Sequence, residues 1–236
     1  MINSTHNPDL PGVRITICEK VFVKDPDTTE LGQKIISESI RMIDELGFEQ
    51  FTFGKLAKAI HSTEASVYRY FENKHKLLLY LTAWYWNWLE YQIILRTSNI
   101  ESPEERLDRV ISLLSEPIQM DNSFAHIDEV SLQGIVVRES AKAYFNKDVD
   151  RANKEGLLDS YKRLIDRLAD LISSNCVNYE FPNALASTLI ESSHNQAFFA
   201  EHLPHLSNLK SGSSKDLYNF LHQLVFGSLG VETTTA

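Results

Sequence analysis

Apolar residues recur at helical spacing along most of this chain. Ile36, Ile40 and Ile43 form a stripe that predicts a first helix ending at Gly47. A second stripe predicts a long helix that begins at Lys74. Further helices are predicted from Ser102, from Asp128, over 153–176, from Pro182 and from Ser213. Only nine glycines and seven prolines interrupt the 236 residues, so the pattern favours an all-α fold over a sandwich or an α/β fold.

A short segment near the N-terminus has a different period. Alternate positions in residues 13–24 are apolar, which predicts an extended strand or a small hairpin. The apolar residues are Val13, Ile15, Ile17, Val21 and Val23. This alternation favours an arm that packs on the helical body or pairs with its twin in a dimer. The alternative is an arm that touches DNA through Arg14, Lys20 or Lys24.

Two short helices fit the stretch 52–78, and each opens with a threonine cap, Thr52 or Thr63. Only His61 and Ser62 lie in the turn between them. The inward positions are Leu56, Ala57 and Ile60 in the first helix, and Val67 and Phe71 in the second. Helices this short must pack on neighbours, which leaves one face of the second helix free. The stretch therefore predicts a helix-turn-helix.

The free face of the second helix mixes small, hydroxylic, aromatic and basic side chains, which suit a nucleic-acid groove better than a core. It carries Glu64, Ala65, Ser66, Arg69 and Tyr70, while Tyr68 is expected at the DNA backbone. Asn73 then caps a third helix whose first residue is Lys74. A cation at that end opposes the helix macrodipole, so we interpret Lys74 as a phosphate ligand.

These residues resemble the DNA-binding signature of the tetracycline-repressor (TetR) family over residues 30 to 80. The similarity rests on Thr52, Leu56-Ala57, Tyr68-Arg69-Tyr70-Phe71 and Asn73-Lys74. The turn departs from the family pattern, because His61-Ser62 replaces the usual Gly-Val, and histidine is among the residues that tolerate a left-handed turn position. We expect the DNA contacts to come from Thr52, Phe53, Gly54, Lys55, Thr63, Glu64, Ala65, Ser66, Tyr68, Arg69, Tyr70 and Lys74.

The net charge of −9 is unevenly distributed. Residues 28–76 hold seven basic and seven acidic side chains, whereas residues 77–236 hold 13 basic and 21 acidic ones. The acidic part would be repelled by DNA and would turn the neutral end toward the duplex. We therefore predict an N-terminal arm at 1–27, a three-helix DNA-binding domain at 28–76, and a helical effector-binding and dimerisation domain at 77–236.

The distal part offers a candidate effector pocket. Aromatic residues crowd the long helix, where plain core packing is the alternative to pocket lining. The candidate effector residues are Trp84, Trp88, Gln133, Arg138, His194 and Phe198. A metal site is not predicted near His194, since no cysteine lies nearby and no HExxH order occurs.

The last two predicted helices are amphipathic and either close the chain's own core or pair across a two-fold axis. The family resemblance implies a four-helix dimer interface, and two copies could then meet DNA about 34 to 36 Å apart. The interface residues expected are Leu189, Ala197, Leu217, Phe220, Leu221, Leu224 and Val225.

Several classes of protein are disfavoured by the sequence. No glycine-rich phosphate loop, GxSxG elbow or paired-carboxylate motif occurs, so we expect neither an enzyme nor a cofactor. Without a signal pattern or an apolar run of about eighteen residues, we expect no membrane partner and a cytoplasmic location. Two widely separated cysteines, Cys18 and Cys176, predict free thiols.

The resemblance implies a homodimeric transcriptional regulator, here interpreted as a repressor. It would bind a palindromic double-stranded DNA operator, and an unidentified small-molecule effector would release or modulate it. The alternative is a helical small-molecule-binding or scaffold protein that does not use its helix-turn-helix on DNA.

Overall fold

The computed structural model describes residues 15–120 and 122–230, and within these ranges it contains ten α-helices and no strand. The all-α prediction is thereby confirmed. The helices are α1 (Glu30–Leu46), α2 (Phe53–Ala59), α3 (Glu64–Tyr68), α4 (Lys74–Thr97), α5 (Pro103–Ser115), α6 (Glu129–Tyr144), α7 (Val149–Lys154), α8 (Asp159–Asn175), α9 (Pro182–His202) and α10 (Ser214–Ser228).

Side-chain caps fix where the N-terminal helices begin. Thr29 accepts a hydrogen bond from Gly32 N, Thr52 from Lys55 N, and Thr63 from Ser66 N, at 3.1 to 3.2 Å. The side chain of Asn73 accepts from Lys76 N at 2.9 Å. Each cap gives an acceptor to a backbone N–H that lacks an intrahelical partner. The predicted caps of the two short helices and of the third are confirmed.

Helix α4 is the central element of the fold. Its residues from Leu77 to Trp86 are all buried, because the helix packs on α5, α6 and α8 as well as on the arm. A helix with apolar residues on every side is stable only inside a protein. It continues without a break through the predicted domain boundary at residues 76 and 77. A second connection exists between α1 and α6, so the helix-turn-helix meets the distal helices in two places.

The arm is extended but forms no strand in its described part. Ile15, Ile17 and Val21 are buried against the helical body, whereas Val23 is 59% exposed. A 3₁₀ turn at Glu19–Val21 breaks the predicted alternation. The strand prediction is wrong because no neighbouring strand within the described ranges offers a ladder. Val13 and Arg14 lie outside the described residues.

The predicted helix over 153–176 is two elements. Helix α7 ends at Lys154, and Gly156 then takes φ 79°, a left-handed conformation that breaks the helical path. Helix α8 begins only at Asp159. Leu157 is therefore a buried loop residue rather than part of the amphipathic stripe.

Most of the residues predicted at the dimer interface lie in the chain's own core. Leu189, Leu217, Leu221 and Val225 are buried, because α9 and α10 pack on each other and on α5. An apolar stripe in the sequence does not distinguish packing within one chain from packing between two chains. Of the predicted interface residues, Ala197 is exposed, and Phe220 and Leu224 are half-buried.

Replacing Gly32 with alanine should lower the free energy of unfolding by about 2 to 3 kcal/mol, because the added Cβ would lie 2.2 Å from the carbonyl oxygen of Pro26. The backbone at Gly32 or at Pro26 would have to shift to relieve this overlap. The matched control is Gly227→Ala, whose Cβ meets no atom within 4 Å and whose helix should gain up to about 1 kcal/mol. Chemical denaturation measures both; equal effects would show that the contact with Pro26 is not close.

Candidate nucleic-acid interface and ligand cavity

The turn between α2 and α3 depends on one unusual backbone conformation. Among the described non-glycine residues, only His61 has a positive φ, of 55°. This conformation lets Ser62 N donate to Ala57 O at 2.8 Å and redirects the chain within two residues. Histidine therefore occupies the left-handed position, as the sequence predicts. The hydroxyl of Thr63 then caps α3.

The outer face of α3 is accessible. Glu64, Ala65 and Arg69 are exposed, and Tyr68 keeps 48% of its surface while its ring packs edge-on against Phe53 at 5.1 Å. Ser66 is half-buried, and its hydroxyl is 2.8 Å from that of Thr63. Small and polar side chains on a short protruding helix can enter a major groove.

Two of the predicted DNA-contacting residues lie in the core instead. Phe53 and Tyr70 are 4% and 3% exposed. The Tyr70 hydroxyl is 2.8 Å from the cap hydroxyl of Thr29, and its backbone carbonyl accepts from Val23 N. Both side chains are therefore buried in the free protein, and direct DNA contact by them stays a prediction. Both fill the space between the short helices and their neighbours, which sequence position alone did not indicate.

Lys74 has partners within the protein. Its ammonium group donates to the carbonyl oxygens of Phe48, Glu49 and Phe51 at 3.0, 3.2 and 3.4 Å, and it lies 4.7 Å from the centre of the Phe48 ring. These carbonyls belong to the connection between α1 and α2. Three carbonyl dipoles thus compensate for the cation at the start of α4, and the interpretation of Lys74 as a phosphate ligand stays a prediction.

The first turn of α2 completes the surface. Thr52 and Lys55 are exposed, and the Lys55 ammonium donates to Gln50 O at 2.7 Å. Gly54 lies so close to α3 that an added Cβ would be 3.4 Å from a carboxylate oxygen of Glu64. Glu64 thus leans toward the N-terminus of α2, where a negative charge is favourable.

Two adjoining cavities lie among α4, α5, α6 and α9. Their volumes are about 300 and 500 Å³. Gln133 and His194 line both cavities, Arg138 and Phe198 line the smaller one, and Trp88 lines the larger one. Five of the six predicted effector residues are therefore brought together. Trp84 is not among them, because it packs edge-on against Phe124 at 5.2 Å.

His194 and Tyr85 form a buried polar pair where the two cavities meet. The Nε2 atom of His194 is 3.1 Å from the Tyr85 hydroxyl. Burial lowers the pKa of His194 to about 4, so the imidazole is neutral at pH 7. Burial also raises the pKa of Tyr85. Sequence reasoning missed Tyr85, although its i, i+3 spacing from Trp88 places both on one helical face.

Helix α6 connects this cavity region to the helix-turn-helix. Arg138 forms a salt bridge with Asp44 of α1. The next residue, Glu139, is buried; it accepts from Phe48 N at 3.1 Å and pairs with Lys142 at 2.7 Å. Lys142 also pairs with Glu49 at 3.0 Å. Sequence reasoning missed Glu139 and Lys142, because charged residues on a helix are usually solvated.

The described residues also bear on metal binding and on membrane insertion. Within the described ranges, no group of three or more His, Cys, Asp or Glu side chains is placed to hold a metal ion. No described helix has the length and apolar run that crossing a bilayer requires.

Helices α2 and α3, their tight turn and the accessible face of α3 define a helix-turn-helix unit. A family model described as bacterial regulatory proteins, tetR family, matches residues 35–81. Over this segment, the chain is similar to the N-terminal DNA-binding domain of that family. A search of curated protein sequences gave no match.

Solved structures share the fold over most of the chain. AibR in complex with isovaleryl coenzyme A and operator DNA is 17% identical, with a TM-score of 0.56 over 82% of this chain and 98% of that one. The fatty acid degradation regulator FadR from Bacillus halodurans is 18% identical, with 0.56 over 85% and 95%. A protein from Syntrophomonas wolfei assigned to the same family is 14% identical, with 0.61 over 86% and 97%. At these identities, the likeness shows the fold alone.

Replacing Glu139 with alanine should lower the free energy of unfolding by about 1 to 3 kcal/mol, because the buried N–H of Phe48 loses its acceptor. Glu105→Ala is the matched control, since Glu105 is exposed and lies 4.0 Å from its partner Arg109, so less than about 0.5 kcal/mol is expected. Urea denaturation measures both values. Similar losses of stability in the two variants would contradict a stabilising role of the hydrogen bond between Glu139 and Phe48 N.

Acid should destabilise the protein through His194. Its folded pKa of about 4 lies below the ordinary histidine value of 6.5, so the unfolded state takes up the proton first and stability falls as pH drops from 6.5 toward 4. Between about pH 7 and about pH 5, the wild type should lose about 2 kcal/mol more than His194→Gln. Denaturation curves at both pH values test this. Parallel losses would mean that His194 is not the group responsible.

Proposed function

We propose that the protein is a homodimeric repressor that binds a palindromic operator through α3 and is released by a small effector. The observation that carries this proposal is the position of α6, which lines the cavities with Gln133 and Arg138 and holds the α1–α2 connection with Glu139 and Lys142. One helix therefore contacts both the candidate effector site and the candidate DNA-binding unit.

The DNA contacts are proposed on the accessible face of α3 and the first turn of α2. Arg69 is exposed and makes no side-chain ion pair with a described residue, so it is available to a phosphate. Tyr68 and Ser66 can reach base edges or the backbone beside it. The side chains of Thr52 and Lys55, exposed in the first turn of α2, can contact a phosphate as well.

Dimerisation would bring two α3 helices to successive major grooves, about one DNA turn apart. The apolar surface left on α10 supports an interface there, because Phe220 and Leu224 remain half-buried after the helix has packed on its own chain. Ala197 on α9 is exposed as well. The acidic distal helices would then point away from the duplex.

The release step is proposed to run through α6. Arg138 lines the smaller cavity and also pairs with Asp44, so a ligand that moves this turn of α6 changes the packing of α1. A ligand shifts the equilibrium only if it binds the two arrangements with different affinity. AibR binds isovaleryl coenzyme A and FadR regulates fatty acid degradation, so compounds with an apolar acyl part are the first class to test.

Fluorescence anisotropy with duplexes from the region upstream of the protein's own gene tests DNA binding. We expect selective, salt-dependent binding with two chains per site, and Arg69→Ala should lower the slope of log K against log salt by about 1. Lys162→Ala removes a cation on α8 that pairs with Asp159, and it should leave that slope unchanged.

Other outcomes would change the proposal. One chain per duplex would contradict the dimer, while an equal effect of both variants would contradict α3 as the contact. Binding of acyl compounds without any selective DNA binding would favour the alternative, a helical small-molecule-binding protein that does not use its helix-turn-helix on DNA.

A further inference from the structure

One side of α6 forms a wall of the smaller cavity. Val130, Gln133, Gly134, Val137 and Arg138 line this cavity, and their spacing of three and four residues places them on one side of the helix. All five keep part of their surface accessible. This side of α6 therefore faces the cavity rather than the core.

The guanidinium group of Arg138 lies at this wall. A Cβ added to Gly134 would be 3.0 Å from Nη1 and 3.3 Å from Nη2 of Arg138, and 3.3 Å from a carboxylate oxygen of Asp44. The arginine side chain therefore folds back over the preceding turn of α6. Its salt bridge with α1 lies directly above a glycine that lines the cavity.

The salt bridge leaves part of the guanidinium group unused. Asp44 accepts a hydrogen bond from Nη2 of Arg138, whereas Nε and Nη1 donate to no acceptor within the described ranges. A guanidinium group carries five N–H donors in one plane and can hold a carboxylate through two of them. Nη1, which lies over Gly134, is therefore a donor at the cavity wall that can bind an anion.

The acidic side chains that line the smaller cavity are either paired or exposed. Glu116 pairs with Arg96 at 3.3 Å, and Glu201 is exposed beside His202. Lys210 also lines the cavity, is exposed and has no ion-pair partner among the described residues. An anion in the cavity would thus meet a second cation besides the arginine of α6.

The rest of the lining mixes apolar side chains with serines. The apolar members include Leu114, Val130, Val137, Phe198 and Leu217. The cavity volume of about 300 Å³ lies at the lower end of the range for small-molecule sites. A small amphipathic compound fits both the volume and the mixed lining.

We propose that the smaller cavity binds a small amphipathic carboxylate, which replaces Asp44 on Arg138 and so breaks the salt bridge between α6 and α1. Two carboxylates at one guanidinium group repel each other, so the ligand and Asp44 compete. Asp44 lies in the last turn of α1, where a negative charge opposes the helix macrodipole and depends on its cationic partner. The inference rests on the proposed function in taking this cavity as the effector site.

The first test compares probes that share a chain of equal length but differ in charge. Isothermal titration calorimetry with the full-length protein at neutral pH, in the absence of DNA, would use octanoate, 1-octanol and octylamine. We expect octanoate to bind at least about fivefold more tightly than 1-octanol, and the cationic amine to bind most weakly. Equal or tighter binding of 1-octanol or octylamine would overturn the proposal. So would the failure of octanoate to bind at about 1 mM.

Two substitutions should change the affinity for octanoate in opposite directions. Arg138→Gln removes the cation and should weaken octanoate binding by about tenfold, the factor for a charge-assisted hydrogen bond. Asp44→Asn removes the competing carboxylate and should tighten octanoate binding by about threefold to fivefold, the factor for a partly exposed salt bridge. A folding defect cannot produce the tighter binding, so the second variant protects the test.

Arg109→Gln is the matched control for the loss of a cation. Arg109 is exposed, lies 4.0 Å from Glu105 and does not line the smaller cavity, so octanoate binding should change by less than about twofold. Far-ultraviolet circular dichroism and the melting temperature check that each variant is folded. Unchanged or weaker octanoate binding by folded Asp44→Asn would show that the ligand does not compete with Asp44, and the proposal would fail.

The two proposals can fail separately. Operator release is measured in a second assay, by adding octanoate or 1-octanol to the protein–DNA complex and following anisotropy. Octanoate binding that responds to Asp44→Asn and Arg138→Gln as expected, but without release, supports the competition and counts against the ligand-responsive repressor. Release by 1-octanol but not by octanoate supports a ligand-responsive repressor and overturns the ligand class.

Discussion

The burial of α4 on all sides from Leu77 to Trp86 constrains the rest of the structure. A segment this apolar cannot face water, so α5, α6 and α8 pack around the helix. Its N-terminal turn lies beside the helix-turn-helix, and its middle forms one wall of the larger cavity. The two candidate sites are thus parts of one packed unit, and a change at either one acts on the same helix.

Polar contacts then set the position of the helix-turn-helix on this unit. Two side chains from different helices bind the backbone of the α1–α2 connection: Lys74 from the start of α4 and Glu139 from α6. Both bind backbone atoms of Phe48, the lysine its carbonyl and the glutamate its N–H. Charge-assisted hydrogen bonds of this kind are stronger than neutral ones and are directional. The connection is therefore held from two sides.

Period and capping predicted the helices well, because both depend on neighbouring residues. Thr52, Thr63 and Asn73 act as caps in the structure, and the left-handed turn lies at His61. Long-range packing was not readable in the same way. By its position in the sequence Tyr70 fits a face that enters a groove, whereas in the structure it is buried against Thr29. The apolar stripe that contains Leu221 fits packing within one chain as well as packing between two chains. The sequence thus indicated which residues lie in the candidate sites, but not the neighbouring groups that determine what each residue does.

The hydrogen bonds of Lys74 to the α1–α2 connection affect how a loss of DNA binding in a Lys74 variant should be interpreted. A variant at Lys74 would displace the α1–α2 connection, and with it the orientation of the helices that follow. Such a defect is one of alignment, so a suppressor would be sought among residues that tighten the same connection. Increasing the positive charge of the surface would not restore the alignment. Lys74 can thus affect DNA binding through the position of the α1–α2 connection, apart from any contact with a phosphate.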